Sequence, residues 1–140
     1  MRFTEHEMTV AVDAVARRLW SATRPPWGRG DLATAWARLP RERSYRAKVA
    51  AGDVVLPVLT ALPERPTVGS RPVFSDAELA EAAERATGEL MEHRRPGAWD
   101  RLSERRRRRL VSGAVDLTQA ALEAMPVRQD PDALIVPDHL

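Results

Sequence analysis

The chain has no cysteine, a single tyrosine, two phenylalanines and one lysine, Lys48. The missing thiols exclude a disulfide scaffold, a cysteine nucleophile and any cysteine-ligated metal. The shortage of aromatics, beside apolar bulk drawn mainly from Ala, Val and Leu, favours close-packed helices over strands. No apolar run approaches the ~20 residues that a membrane span needs. Glu5 and Glu7 stand where a secretory signal requires apolar residues. These absences predict a soluble, cytoplasmic chain that makes no membrane contact.

Recognisable chemistry is also missing. His6 lies between two glutamates, His93 follows Glu92, and His139 is near the carboxyl end. Neighbouring helical residues point ~100° apart, so neither His–Glu cluster chelates a metal from one face. There is no glycine-rich phosphate loop, no dinucleotide fingerprint, and no nucleophile spaced from a base. The expectation is a non-enzymatic protein without cofactor or metal.

What the chain does have is a repeat. Ala35-Trp36-Ala37-Arg38-Leu39 returns as Ala98-Trp99-Asp100-Arg101-Leu102. Before each copy lies an amphipathic segment that opens on a capping box, Thr4 with Glu7 and Ser75 with Glu78. Phe3 and Phe74 precede the caps, where a hydrophobic staple sits. The stripe Met8, Val12, Val15, Leu19 is matched by Leu79, Ala83, Ala86, Leu90. A second long segment follows each Trp. Its stripe is Ala47, Ala51, Val54, Val58, Leu62 in the first copy and Leu110, Ala114, Leu117, Ala121, Met125 in the second. Both end in proline, at Pro63 and Pro126. Pro57 inside the first of these predicts a kink or break near Leu56.

The reading is an all-α fold, a tandem duplication of a long–short–long three-helix unit. The two units form one bundle-like domain with pseudo-two-fold symmetry. Repeat one spans 3–63, a Pro-rich linker 64–73, and repeat two 74–126, all within a single domain 1–126. The tail 127–140 is acidic and Pro-punctuated, and is expected either to be flexible or to dock its apolar patch at Leu134, Ile135 and Val136 on the body or on a partner.

Shared features read as structural. Trp36 and Trp99 are packing anchors at the corner between short and long helix. Arg43 matches Arg106, Arg46 matches Arg109 and Asp13 matches Glu84, which predicts Arg–carboxylate bridges between the first and third helix of each unit. Arg29-Gly30-Asp31, a tripeptide that some adhesion receptors bind, is read as a loop in which Asp31 caps the short helix.

Differences between the copies are where function is freer to reside. Repeat one has a longer connection holding Trp27, and it carries Tyr45 where repeat two has Arg108. Tyr45 points roughly 160° from the core stripe at about 100° per residue, so Trp27 is expected to cover it. Left uncovered, the two form an aromatic patch for a partner.

The net charge is only +2, yet its distribution is uneven. Residues 1–70 carry 11 basic and 7 acidic side chains, and residues 71–140 carry 11 and 13, although the run Arg105–Arg109 lies in the second half. On a helical wheel Arg106 and Arg107 flank the core while Arg105 and Arg108 face outward. Cations near a helix amino end oppose its dipole by ~0.3–1 kcal/mol each.

The leading expectation is a helical protein-interaction or structural module. It engages a protein partner, or itself, through Trp27, Tyr45, Leu134, Ile135 and Val136. The alternative is a nucleic-acid-associated protein that contacts phosphates through Arg94, Arg95, Arg101, Arg105 and Arg108, with little base readout. A helix-turn-helix over 98–114 fits poorly, because Trp99 and the short connection leave no base-reading helix end.

Overall fold

The computed structural model describes residues 1–25, 28 and 30–129, which form six helices with no strand among them. In order they are α1 (Glu5–Thr23), α2 (Leu32–Ala37), α3 (Arg41–Ala61), α4 (Asp76–Arg94), α5 (Ala98–Arg101) and α6 (Glu104–Ala124).

Local chemistry sets most of the boundaries. Thr4 Oγ1 accepts from the Glu7 amide at 3.1 Å, and Glu7 Oε1 accepts from the Thr4 amide at 2.8 Å. Ser75 and Glu78 repeat this box at 3.1 and 2.9 Å. Ser103 caps α6 by accepting from the Arg106 amide. Asp31 occupies the N-cap of α2, but its carboxylate takes the Thr34 hydroxyl and caps no amide. The long helices α1, α3 and α6 each stop at an extended residue followed by proline, at Arg24, Leu62 and Met125. Of the kink or break expected at Pro57, no break occurs: α3 runs through it as one helix. Val55, Val58 and Leu59 are fully buried around it, so tertiary packing overrides the lost backbone bond.

α1 and α4 each pack on both α3 and α6, and α3 and α6 also touch. The amino group of Met1 donates to the carbonyls of Leu59, Thr60 and Leu62, which places the start of α1 beside the end of α3. Arg128, just beyond α6, reaches Glu7 in the first turn of α1. The starts of α1 and α4 therefore meet the ends of α3 and α6 in one region, called here the base. The opposite ends form two corners, one around α2 and one around α5.

The core is built from small residues. Ala11, Ala16, Ala51, Ala83, Ala114 and Ala121 are buried together with Val15, Val55, Val58, Leu59 and Leu79. Such side chains let helix axes approach closely and favour sharp interdigitation over bulk. The stripe predicted for α6 needs one correction. Leu110 is 42% exposed, while Thr118 is fully buried with its hydroxyl donating to the Ala114 carbonyl at 2.7 Å. The apolar side of α6 is rotated from the predicted line toward Val111, Val115 and Leu122, which pack on the core.

Trp36 is buried and packs against Trp20 with ring centroids 5.6 Å apart. Trp99 is half-buried and covers Gly88, where a Cβ would meet the indole at 3.4 Å. Both tryptophans close their corners as expected, each with an arginine over the ring, Arg17 on Trp36 and Arg107 on Trp99.

Candidate anion-binding surface

Among the described residues Arg43, Arg46, Arg106 and Arg109 make none of the bridges predicted between first and third helices, although Asp13 does bridge α1 to α3 through Lys48. Arg46 pairs with Glu42 on its own helix, and Asp13 takes Arg17 at 2.9 Å and Lys48 of α3 at 3.7 Å. Glu84 is exposed with no ion pair among the described residues, and so are Arg43, Arg106 and Arg109. The physical reason is register. These arginines fall on the outward side of the first turns of α3 and α6, where water solvates them better than a buried carboxylate could.

Of the run Arg105–Arg109, only Arg107 turns inward. Its Nε donates to the Trp99 carbonyl at 3.0 Å and its Nη2 to the Asp100 carbonyl at 3.0 Å, tying α6 to α5. Arg106, expected to flank the core as well, is exposed. Arg108 pairs with Glu104 at 2.6 Å, and this holds the Glu104 carboxyl below its usual range. Arg94 reaches Asp53 of α3 at 3.2 Å, and Arg101 folds back on the Pro96 carbonyl. Arg95 and Arg105 are exposed and make no side-chain hydrogen bond or ion pair among the described residues.

The five predicted phosphate ligands thus lie around one corner. The structure adds a second set at the other, with Arg18, Arg38, Arg41 and Arg43 exposed and likewise without an ion pair among the described residues. Tyr45 lies within this second set and is 66% exposed. Trp27, proposed to cover it, and the patch Leu134, Ile135 and Val136 fall outside the described residues.

The base is mixed in sign, with Arg2 and Arg71 exposed beside its carboxylates. Glu5, Glu64, Asp76 and Glu123 are exposed there. The base also holds two carboxylate clasps that sequence reasoning missed. Glu7 is buried and receives Arg128 through two bonds, Nε to Oε2 at 3.0 Å and Nη2 to Oε1 at 3.1 Å. Arg128 also donates to the Arg2 carbonyl at 2.9 Å, and its own carbonyl accepts from the Gly69 amide. These bonds hold the Glu7 carboxyl below its usual range, the Arg128 hydrogen bond most of all, and raise the Arg128 guanidinium further. Glu78 is paired with Arg65, which also donates to the Val73 carbonyl and lies over Phe74. The Ser75 amide and then Arg65 keep the Glu78 carboxyl low. The sequence signal was present: Leu62-Pro63-Glu64-Arg65 and Met125-Pro126-Val127-Arg128 put an arginine three places after each final stripe residue.

Among the described residues no cluster of His, Asp or Glu could hold a metal ion, and no helix is long and apolar enough to cross a membrane. No family model, curated protein or solved structure matches this chain.

Proposed function

We propose that this chain is a non-enzymatic, duplicated helical module that binds nucleic acid through its phosphates. The observation that carries this reading is the clustering of exposed arginines at both corners, Arg18, Arg38, Arg41 and Arg43 at one and Arg95, Arg105 and Arg106 at the other. A small net charge conceals these clusters, and local potential decides what a surface attracts. The arginines near the starts of α3 and α6 stand against the helix dipoles, each at a cost of ~0.3–1 kcal/mol. Arg41, Arg43, Arg105, Arg106 and Arg109 have no ion pair among the described residues, which leaves them open to an external anion. Tyr45, exposed between arginines, suits stacking on an unpaired base.

Duplication supports the two-corner geometry. Arg128 grips Glu7 and the carbonyl of Arg2, and Arg65 grips Glu78 and the carbonyl of Val73. Each glutamate closes a capping box, each carbonyl lies two residues before the cap, and each arginine comes from the end of one repeat and clasps the start of the other. A pseudo-two-fold axis through the bundle relates the two clasps and likewise the two corners.

The test is an anisotropy titration with labelled duplex DNA and single-stranded RNA at two salt concentrations. Binding near the micromolar range that falls steeply with salt is expected. No binding at low salt with the protein in large excess rejects the reading. A protein partner is the second reading, favoured by Tyr45 and Val49, exposed at 66% and 45% one turn apart on α3. It predicts association that is insensitive to salt and lost in Tyr45→Ala.

A further inference from the structure

The surface of α4 and α6 holds an apolar cleft that the clasps do not use and whose rim shares Arg94 and Arg109 with the phosphate reading. Its volume is about 460 Å³, within the ~300–1,000 Å³ typical of small-molecule sites. The apolar lining is Val54, Leu90, Met91, Leu110 and Leu117, with Gly113 and Ala114 keeping one wall low. Arg94 and Arg109 are the charged residues of the lining. Asp53 already offsets Arg94, whereas Arg109 meets no carboxylate among the described residues. The cleft is thus apolar with one cation in surplus.

At the position where α1 carries Trp20, stacked on Trp36, α4 carries Met91. The smaller, flexible thioether leaves Leu110 open to solvent beside it, an exposure that costs hydrophobic free energy unless something apolar covers it.

We infer that this cleft binds a small monoanionic amphiphile, an aliphatic chain ending in a carboxylate. The chain lies along Leu90, Leu110 and Leu117, and the head meets Arg109. Charge complementarity argues for this occupant over a neutral one. The limited volume and single surplus cation argue for it over a protein helix, whose docking needs a longer apolar groove.

Gly113 makes the test clean. A Cβ added there meets nothing within 4 Å, so Gly113→Leu adds apolar bulk to the cleft wall with no clash at its Cβ and improves helix propensity. Laurate and dodecanol are titrated by calorimetry against the full chain, Gly113→Leu and Arg109→Ser, with helix content checked by circular dichroism. Saturable laurate binding is expected in the native chain, absent in Gly113→Leu. Loss of one charge-assisted hydrogen bond should weaken laurate by about tenfold in Arg109→Ser and leave dodecanol unchanged. Absence of saturable laurate binding to the native chain overturns the inference. So does undiminished binding to Gly113→Leu, or equal affinity for dodecanol. No nucleic acid enters these titrations, so their outcome is separate from that of the phosphate reading.

Discussion

At the scale of single residues, the Glu7–Arg128 clasp is the feature with the largest stake in stability. Glu7 is nearly inaccessible to solvent, so its charge depends on Arg128 and on the capping amide of Thr4. Arg128→Ala leaves that carboxylate buried with half its partners and should cost about 1.5–3 kcal/mol, the usual range for a hydrogen bond to a charged group. Chemical denaturation measures it, and a difference below ~0.5 kcal/mol would show that water replaces the guanidinium. The pH dependence has a definite sign. The Glu7 carboxyl is lowered in the folded chain from an ordinary 4.5. Its contribution is therefore complete above that value and is lost as pH falls through the depressed one. The stability gap between native chain and Arg128→Ala should accordingly be full at neutral pH and shrink on acidification. A gap that stays constant down to the acid transition would mean that Glu7 is not the group through which Arg128 acts.

At the scale of the elements, two glycines and a proline separate local preference from tertiary demand. Gly88 lies mid-helix beneath Trp99, where even a Cβ is tight, and Gly113 lies mid-helix facing open space. Gly113→Ala should stabilise by about 0.8–1 kcal/mol through helix propensity alone. Gly88→Leu should instead destabilise by about 1–3 kcal/mol, because overpacking outweighs that gain. Thermal melts of the pair settle the contrast, and a rise in both would mean that Trp99 yields freely. Pro57→Ala restores a backbone donor within α3 and should stabilise by up to ~3 kcal/mol. The helices, caps and proline stops were legible because each rests on residues three or four apart. The Glu7–Arg128 pair was not, since 121 residues separate its members and only the packing of α6 on α1 joins them. The predicted Arg–carboxylate bridges failed for the converse reason. Matching Arg43 with Arg106 located a recurrent position but gave no information on which way it faces. Tertiary register likewise decides that Leu110 leaves the core and Val111 joins it, and with that shift the α4–α6 cleft opens.

At the scale of the whole molecule, the two arginine clusters predict how binding energy divides between the corners. Neutralising each phosphate contributes about −0.9 to the slope of log affinity against log salt on duplex DNA. Arg43 and Arg46 near the start of α3 belong to one corner, and Arg106 and Arg109 near the start of α6 to the other. Arg46 is partly spent on Glu42, whereas Arg106 and Arg109 have no ion pair among the described residues. Replacing Arg106 and Arg109 with serine should therefore lower the slope by about 2, and replacing Arg43 and Arg46 by between about 1 and 2. The combined variant should lose the sum, because among the described residues no ion pair or hydrogen bond joins Arg43 or Arg46 to Arg106 or Arg109. Glu5→Gln with Glu123→Gln at the base should leave the slope unchanged, as those carboxylates lie at the opposite end from the corner arginines. Titrations at several salt concentrations read all four variants. If the Arg43 and Arg46 replacement leaves the slope intact, a single corner carries the contact. If the base variant steepens it, the carboxylates at the base lie close enough to the bound phosphates to oppose them.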